Sequence, residues 1–234
     1  MDVRSVLRRH PAFARLGEEA LDSLSRLGAH QRLRRGEAVW RAGERASAFV
    51  LVGHGLVKVL LPGGASRDLV LGLAGPGESV GDALVLEGGT YDADAYALTD
   101  SVVVVRVPRD AALLAFEKHG AAAMELARTF GHASTVAARR LALFTASAEE
   151  RLATTLMELG ERFGDELEDG TTLIPLRLTR AELAALVGTT VETTIRTLSR
   201  WTREGLVSTG ESGMTLHDAT ALARRSSLPA VARA

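Results

Sequence analysis

The sequence predicts an α+β chain in three parts: an antiparallel β-roll, a long helix, and a C-terminal pair of helices followed by a hairpin, the winged helix-turn-helix arrangement. Three observations predict it. Between His30 and Val107 short Val- and Leu-rich runs alternate with turn signals, and 12 of the 23 glycines fall between Gly36 and Gly89. From Arg109 the pattern turns helical and meets no proline until Pro175. From Leu178 to Trp201, two helix starts flank Gly188. The expected boundaries are 1–118 for the β-roll, an effector or sensor domain, 119–146 for the long helix and 147–234 for the C-terminal domain.

Composition sets the outer limits. With 234 residues, 46% hydrophobic and 24% charged, the chain is globular. No apolar run approaches the roughly 20 residues of a spanning helix and no signal peptide opens the chain, so a cytoplasmic protein without a membrane partner is expected. The absence of cysteine excludes disulfides, thiolate nucleophiles, cysteine-built zinc sites and ordinary iron–sulfur clusters. Charge is uneven: Lys and Arg against Asp and Glu number 20 and 24 in residues 1–170, but 8 and 5 in residues 171–234. That C-terminal excess is modest and implies no strong non-specific grip on phosphates.

In chain order, Val6-Leu7, Phe13, Leu16, Leu21, Leu24 and Leu27 mark small amphipathic helices interrupted at Pro11, which pack on something larger. Strands are expected at Phe49–Val52, Leu56–Leu61, Leu69–Leu71 and Val102–Val107. Their turns are Gly36-Glu37, Gly43-Glu44, Gly63-Gly64 and Gly75-Pro76-Gly77-Glu78. An all-β domain enclosing a cavity is the expectation. The long helix, about Ala121 to Phe144, carries Ala123, Ala127, Phe130, Ser134, Ala137, Leu141 and Phe144 at alternating steps of four and three. That is a heptad seam, which serves either packing on the chain's own β-domain or pairing with a second copy. A helix over Ala148–Phe163 follows, then an acidic loop at Gly164–Gly170, with the domain junction near Phe144–Ala148.

The C-terminal stretch carries the functional signal. Thr179 and Glu182 form a capping-box pair, and Leu183, Leu186 and Val187 give the first helix an apolar stripe. Thr189 or Thr190 caps the second helix, which turns Thr194, Leu198 and Trp201 inward and Val191, Glu192, Ile195, Arg196 and Ser199 outward. Arg196 suits the paired major-groove acceptors of guanine, Glu192 the cytosine amine, and Val191 and Ile195 thymine methyls. The plainer reading makes Glu192 part of a second capping box with Thr189, or half of a solvated (i, i+4) pair with Arg196. Leu206-Val207 and Met214-Thr215-Leu216 then read as a hairpin wing. Thr179, Arg180, Thr190, Ser199 and Arg200 are the candidate backbone contacts, with Arg177 and Arg203 near them, although solvated helix charge is the commoner explanation of any one of the arginines.

The whole order resembles the Crp/Fnr family of bacterial transcription regulators. The stretches that carry the resemblance are HPAFARLGEEAL, RRGEAVWRAGERASAFVLVGHGLVKV, LAGPGESVGD, ALTDS, EERLATTLMELGERFG and LTRAELAALVGTTVETTIRTLSR. It implies a cyclic-nucleotide-binding-like β-roll, in which an unidentified effector modulates activity, and a homodimer seam of Phe130, Ser134, Ala137, Leu141 and Phe144. It also implies double-stranded DNA and RNA polymerase as partners. Val191-Glu192-Thr193 looks like the start of an Fnr-type recognition helix, and Arg196 matches the family's guanine-reading arginine, so a TGA-containing half-site is expected. Ile195 stands where Fnr-type helices often carry Ser, which leaves the outer bases open. Ser147 matches the family's hinge position and is expected to start the following helix as an N-cap.

At the effector site the chain departs from the family's cyclic-nucleotide binders. Their Gly-Glu-Leu motif reads Gly81-Asp82-Ala83 here, and the position of their phosphate-binding Arg-Ser pair falls in Tyr91-Asp92-Ala93-Asp94. A cyclic phosphate would meet like charge there, so cyclic AMP is disfavoured. The adenine-reading pair aligns with Val136 and Ala137, close to Ser134 and Thr135. The candidate pocket is therefore Gly81, Asp82, Ala83, Tyr91, Asp92, Ser134 and Thr135. The family's cluster-bearing oxygen sensors need cysteines, and its carbon monoxide-sensing haem type uses Cys and His where Asp82 and Ala83 stand. His54 and His132 remain as ligands for a differently built haem or metal site, against the commoner packing or surface role of a lone histidine. An organic metabolite, or action without ligand, completes the options.

No P-loop, nucleophile elbow or paired metal-binding spacing occurs, so no enzyme is expected. The rival to DNA reading is a ligand-sensing module that acts through protein partners.

Overall fold

Two four-stranded antiparallel sheets occupy the glycine-punctuated stretch. They were described in a computed structural model covering residues 1–63 and 68–226. The strands are β1 (Ala29–Arg34), β2 (Ala38–Trp40), β3 (Ala48–His54), β4 (Val57–Leu61), β5 (Leu69–Ala74), β6 (Ser79–Val80), β7 (Asp94–Ala97) and β8 (Ser101–Pro108). One sheet runs β1-β8-β3-β6 and the other β2-β7-β4-β5. Central β3 and β8 pair from Ala48 with Pro108 to His54 with Val103, and their valines and leucines, except the half-buried Val103, are buried because each packs on both faces. Left-handed glycines make the sharp turns that the sequence marked, including Gly36 and Gly43. Gly64 lies outside the described residues.

The N-terminal helices α1 (Val3–Arg9) and α2 (Glu18–Leu27) close this unit, with Val6, Leu7, Leu21 and Leu24 buried. A short 3-10 turn at Phe13–Arg15 sets Phe13 edge-on to Phe49 and Phe116, at ring-centre distances of 5.8 and 5.0 Å. The all-β expectation needs one correction. A helix, α3 (Asp82–Glu87), interrupts the strands, started by left-handed Gly81 and ended by left-handed Gly88. Arg109 secures its end by donating to the carbonyls of Val85 (2.6 Å) and Leu86 (3.0 Å). Helix α4 (Arg109–Lys118) then leads into α5 (Gly120–Ala142).

Along α5 the packing changes. Ala122 and Leu126 are buried in the β-roll core, with Ala123 and Phe130 packed against it. From Gly131 to Arg139 every residue but Val136 is exposed. Of the expected seam, Phe130 is partly buried on its own domain and Ser134, Ala137 and Leu141 face solvent, Leu141 at 66% exposure. The side chain of Phe144 lies outside the described ones.

The chain divides into two compact units, the first comprising Met1–Pro62 and Leu71–Ala137, the second chiefly the described residues from Ala138 on. In the second, a 3-10 turn (Leu143–Thr145) precedes α6 (Ala148–Phe163), whose N-cap Ser147 forms a reciprocal capping box with Glu150. The expected acidic loop is partly a strand: β9 (Asp165–Glu166) pairs with β10 (Thr172–Ile174) because Thr171 and Asp169 close a tight turn between them. Next come α7 (Arg180–Val187), α8 (Val191–Arg203), β11 (Val207–Gly210), β12 (Gly213–Leu216) and α9 (Ala219–Arg225). The β11–β12 hairpin is the expected wing, and the sheet order is β11-β12-β10-β9.

Candidate nucleic-acid interface and effector cradle

Helix α8 is fixed from its inward side. Trp201 and Thr194 are fully buried and Leu198 nearly so, and Thr194 satisfies its buried hydroxyl by donating to the Thr190 carbonyl at 3.0 Å. The preceding turn is set by Gly188 at φ 70°, ψ 39°, which lets the chain reverse after α7. Arg151 braces this turn, donating to the carbonyls of Val187 (3.0 Å), Gly188 (3.2 Å) and Ala146 (2.8 Å). Thr179 and Glu182 form the expected capping box at the start of α7.

Between Thr189 and Thr190, the N-cap is Thr190, whose hydroxyl accepts from the Thr193 amide at 3.0 Å. Thr189 is buried. Glu192 therefore does not complete a capping box with Thr189. It stands exposed with Arg196, Val191 (41%) and Ile195 (46%) on the outward face. Neither Glu192 nor Arg196 has an ion pair or hydrogen bond among the described residues, so both are available to an external partner.

The candidate backbone contacts are placed differently from one another. Arg180 reaches the wing, donating to the Thr209 hydroxyl at 3.2 Å. Ser199 is exposed. Arg200 is turned toward α6, 2.6 Å from Glu149. A cleft of about 530 Å³ opens in this unit, floored by Leu156, Leu159, Ile174 and Met214 and edged by Thr179 and Arg180.

In the β-roll, where a cavity was expected, two buried aromatic rings stand beside Gly81. Trp40 stacks on Tyr91 with centroids 4.0 Å apart and planes 13° from parallel, and donates its indole N–H to the Ala93 carbonyl at 2.9 Å. A Cβ on Gly81 would fall 2.8 Å from the Tyr91 ring and 3.2 Å from Trp40, so the glycine serves space as well as its positive φ. Asp82 is buried beside them. Its Oδ2 accepts from the Ser79 hydroxyl, which in turn lies 2.9 Å from His10 Nε2. His10 Nδ1 accepts from the Ala12 amide, which leaves the ring proton on Nε2, facing Ser79. Burial lowers His10 to about 4 and raises Asp82 to about 6, the latter partly offset by the Ser79 hydrogen bond. Asp82 Oδ1 and the Tyr91 hydroxyl are buried without a hydrogen-bond partner among the described residues.

The remaining pocket candidates scatter. Ala83 and Asp92 are exposed, and Ser134 and Thr135 sit on the exposed part of α5, the Thr135 hydroxyl spent on the Gly131 carbonyl. Asp94 accepts from the Ala42 amide (2.8 Å) and the Tyr96 hydroxyl (2.7 Å), with Arg41 at 3.7 Å; the Ala42 bond leads in holding its carboxyl below the usual range. Arg41, over the Tyr96 ring at 5.0 Å, is a cation that sequence reasoning missed, because it comes from the residue after β2 rather than from the motif. His54 and His132 are exposed, and no group of three potential metal ligands occurs among the described residues.

Two family models match the chain: the cyclic nucleotide-binding domain over residues 30–119 and the Crp-like helix-turn-helix domain over residues 150–225. The transcriptional regulatory protein btr of Bordetella pertussis is 30% identical over 207 residues, covering 86% of this chain and 81% of that protein. The cyclic AMP receptor protein of Thermus thermophilus is 29% identical, over 92% of this chain and 96% of that one. Among solved structures, FixK2 of Bradyrhizobium japonicum shares the fold with a TM-score of 0.74 at 23% identity, over 87% of this chain and 99% of its own.

Proposed function

Since the chain belongs to the Crp/Fnr family of transcription regulators, we propose that it works as a homodimer reading palindromic DNA with TGA-containing half-sites. The observation that carries the reading is the outward face of α8. Val191, Glu192, Ile195 and Arg196 stand together in solvent, the two charged groups unpaired among the described residues, on a helix anchored by Trp201. A helix of this kind fits the major groove, with Arg196 on guanine and Glu192 on a cytosine amine. Thr179, Arg180, Thr190 and Ser199 border it as phosphate contacts. The exposed half of α5 supports the second copy: a helix solvated on nearly all sides gains most by pairing along Ser134, Ala137 and Leu141. RNA polymerase is the further partner, and the cytoplasm is where these partners meet.

Cyclic AMP is disfavoured in the β-roll: Asp92 and Asp94 place carboxylates where a phosphate would need a guanidinium, and Arg41 is already beside Asp94. The reading is therefore of a regulator that binds DNA without cyclic AMP.

Fluorescence anisotropy on a TGA-bearing palindrome tests the DNA reading. Arg196→Ala is expected to cost about 1–3 kcal/mol per half-site and to relax preference at one guanine. Equal binding by the two proteins would remove Arg196 from the interface. Absence of any sequence preference in the wild type would favour a module acting through protein partners.

A further inference from the structure

We propose that Glu149 is a built-in brake on DNA affinity: it holds the Arg200 guanidinium against the protein and withholds it from the phosphate backbone. The inference rests on α8 being the recognition helix.

Glu149 lies in the first turn of α6, two residues past Ser147. Its Oε1 accepts from Arg200 at 2.6 Å and from the Trp201 indole N–H at 3.2 Å, with Arg225 at 3.9 Å. Glu204 closes the circuit, 3.1 Å from Arg225 and 3.8 Å from Arg200. Two carboxylates and two guanidiniums thus ring the polar edge of Trp201 and tie together α6, α8 and α9.

Arg200 stands one helical turn beyond Arg196, at the margin of the outward face, and its side chain is 45% exposed. A guanidinium there is long enough to reach either a carboxylate on its own protein or a phosphate on DNA, and it serves one at a time. Isolated pairs of this exposure are weak. Glu149, however, is pre-placed, because the indole of fully buried Trp201 fixes its oxygen before Arg200 arrives. A cation kept by Glu149 releases no counterion from DNA, so it is silent in the salt dependence of binding.

That silence makes the test direct. Glu149→Gln keeps the size and the oxygen that Trp201 needs, but removes the charge. On a fixed palindrome, the plot of log affinity against log salt should steepen by about 0.9 per half-site engaged. Affinity at low salt should rise by roughly 1.5- to 5-fold per half-site, alike for specific and scrambled DNA. Arg200→Gln in the wild-type background should leave the slope unchanged, and the double variant should return to it. A flatter slope for Arg200→Gln alone would show that Arg200 already contacts phosphate and would overturn the brake. An unchanged slope for Glu149→Gln, with a melting curve matching wild type, would overturn it too. Arg196→Ala measured in parallel separates the levels: if that variant keeps wild-type sequence preference, the recognition-helix reading itself has failed.

Discussion

Two helices of this molecule begin alike and end in opposite conditions. Helix α3 follows Gly81 at φ 74°, and α8 follows closely on Gly188 at φ 70°. After Gly188 the charged residues of the helix face outward, with Glu192 and Arg196 exposed. After Gly81 the polar residue is Asp82, which is buried, its Oδ1 without a hydrogen-bond partner among the described residues. The same local device displays side chains where the neighbouring elements leave room and buries them where aromatic rings close over it. What each domain offers a ligand is decided by the packing around the turn more than by the turn.

The comparison can be broken most forcefully from the recognition side. Trp201→Ala removes the largest fully buried side chain and is expected to cost about 3–5 kcal/mol, unfolding the second unit at lower denaturant while the β-roll transition stays put. Calorimetry of the two transitions reads this, and a shift of both together would mean that the units do not unfold independently.

The buried polar chain of the β-roll gives the next effect, through pH. Asp82 rises from its ordinary 3.8 to about 6. The folded state therefore keeps a proton that the unfolded state loses, and this contribution is full below about pH 4 and lost as pH rises through 6. His10 falls from 6.5 to about 4, so its contribution is full above pH 6.5 and lost as pH falls through 4. The two oppose each other between pH 4 and 6 and flatten the wild-type profile. His10→Gln should expose the Asp82 term, a fall on the order of 2–3 kcal/mol from pH 4 to 6, and Asp82→Asn a rise of similar size. Urea midpoints at pH 4, 5 and 6 decide it: parallel profiles for the three proteins would rule out the opposed pair.

The two glycines themselves come next. Gly188→Ala carries the left-handed penalty of about 1–2 kcal/mol, whereas Gly81→Ala adds the 2.8 Å encounter with Tyr91 and should cost more. Equal losses would mean that the aromatic lid yields freely. Smallest is Tyr91→Phe, which deletes a buried hydroxyl with no partner among the described residues and keeps the stack. Stability should be unchanged or up to about 1 kcal/mol greater, and a clear loss would reveal a partner for that hydroxyl.

Much of the architecture was legible because it is written in local pattern. Val102–Val107 lies within β8, the helix over Ala148–Phe163 coincides with α6, and Ser147 caps it. Strand β1 was harder, since AHQRLR pairs only with β8 at a sheet edge and buries little but Leu33. Helix α3 is too short for its period to show. The long-range contacts around the two sites were the least legible. The pairing of β2 with β7 brings Trp40 near Tyr91, and the fold, not the motif, closes His10 on Ser79 and Glu149 on Arg200. Each joins residues about 50 or more positions apart, and no spacing rule in the sequence reports such a contact. Their one visible hint was chemical: Asp82 and Tyr91 stand where the family's nucleotide binders use other residues.

Anisotropy of the wild-type protein on a TGA palindrome, with and without added cyclic AMP, tests most directly whether this regulator reads DNA without that nucleotide. The account predicts saturable binding without nucleotide, at least about 1,000-fold tighter than to scrambled DNA and unchanged by cyclic AMP. Specific binding that appears only when cyclic AMP is added would contradict it, because the carboxylates of Asp92 and Asp94 would then have to accommodate the cyclic phosphate.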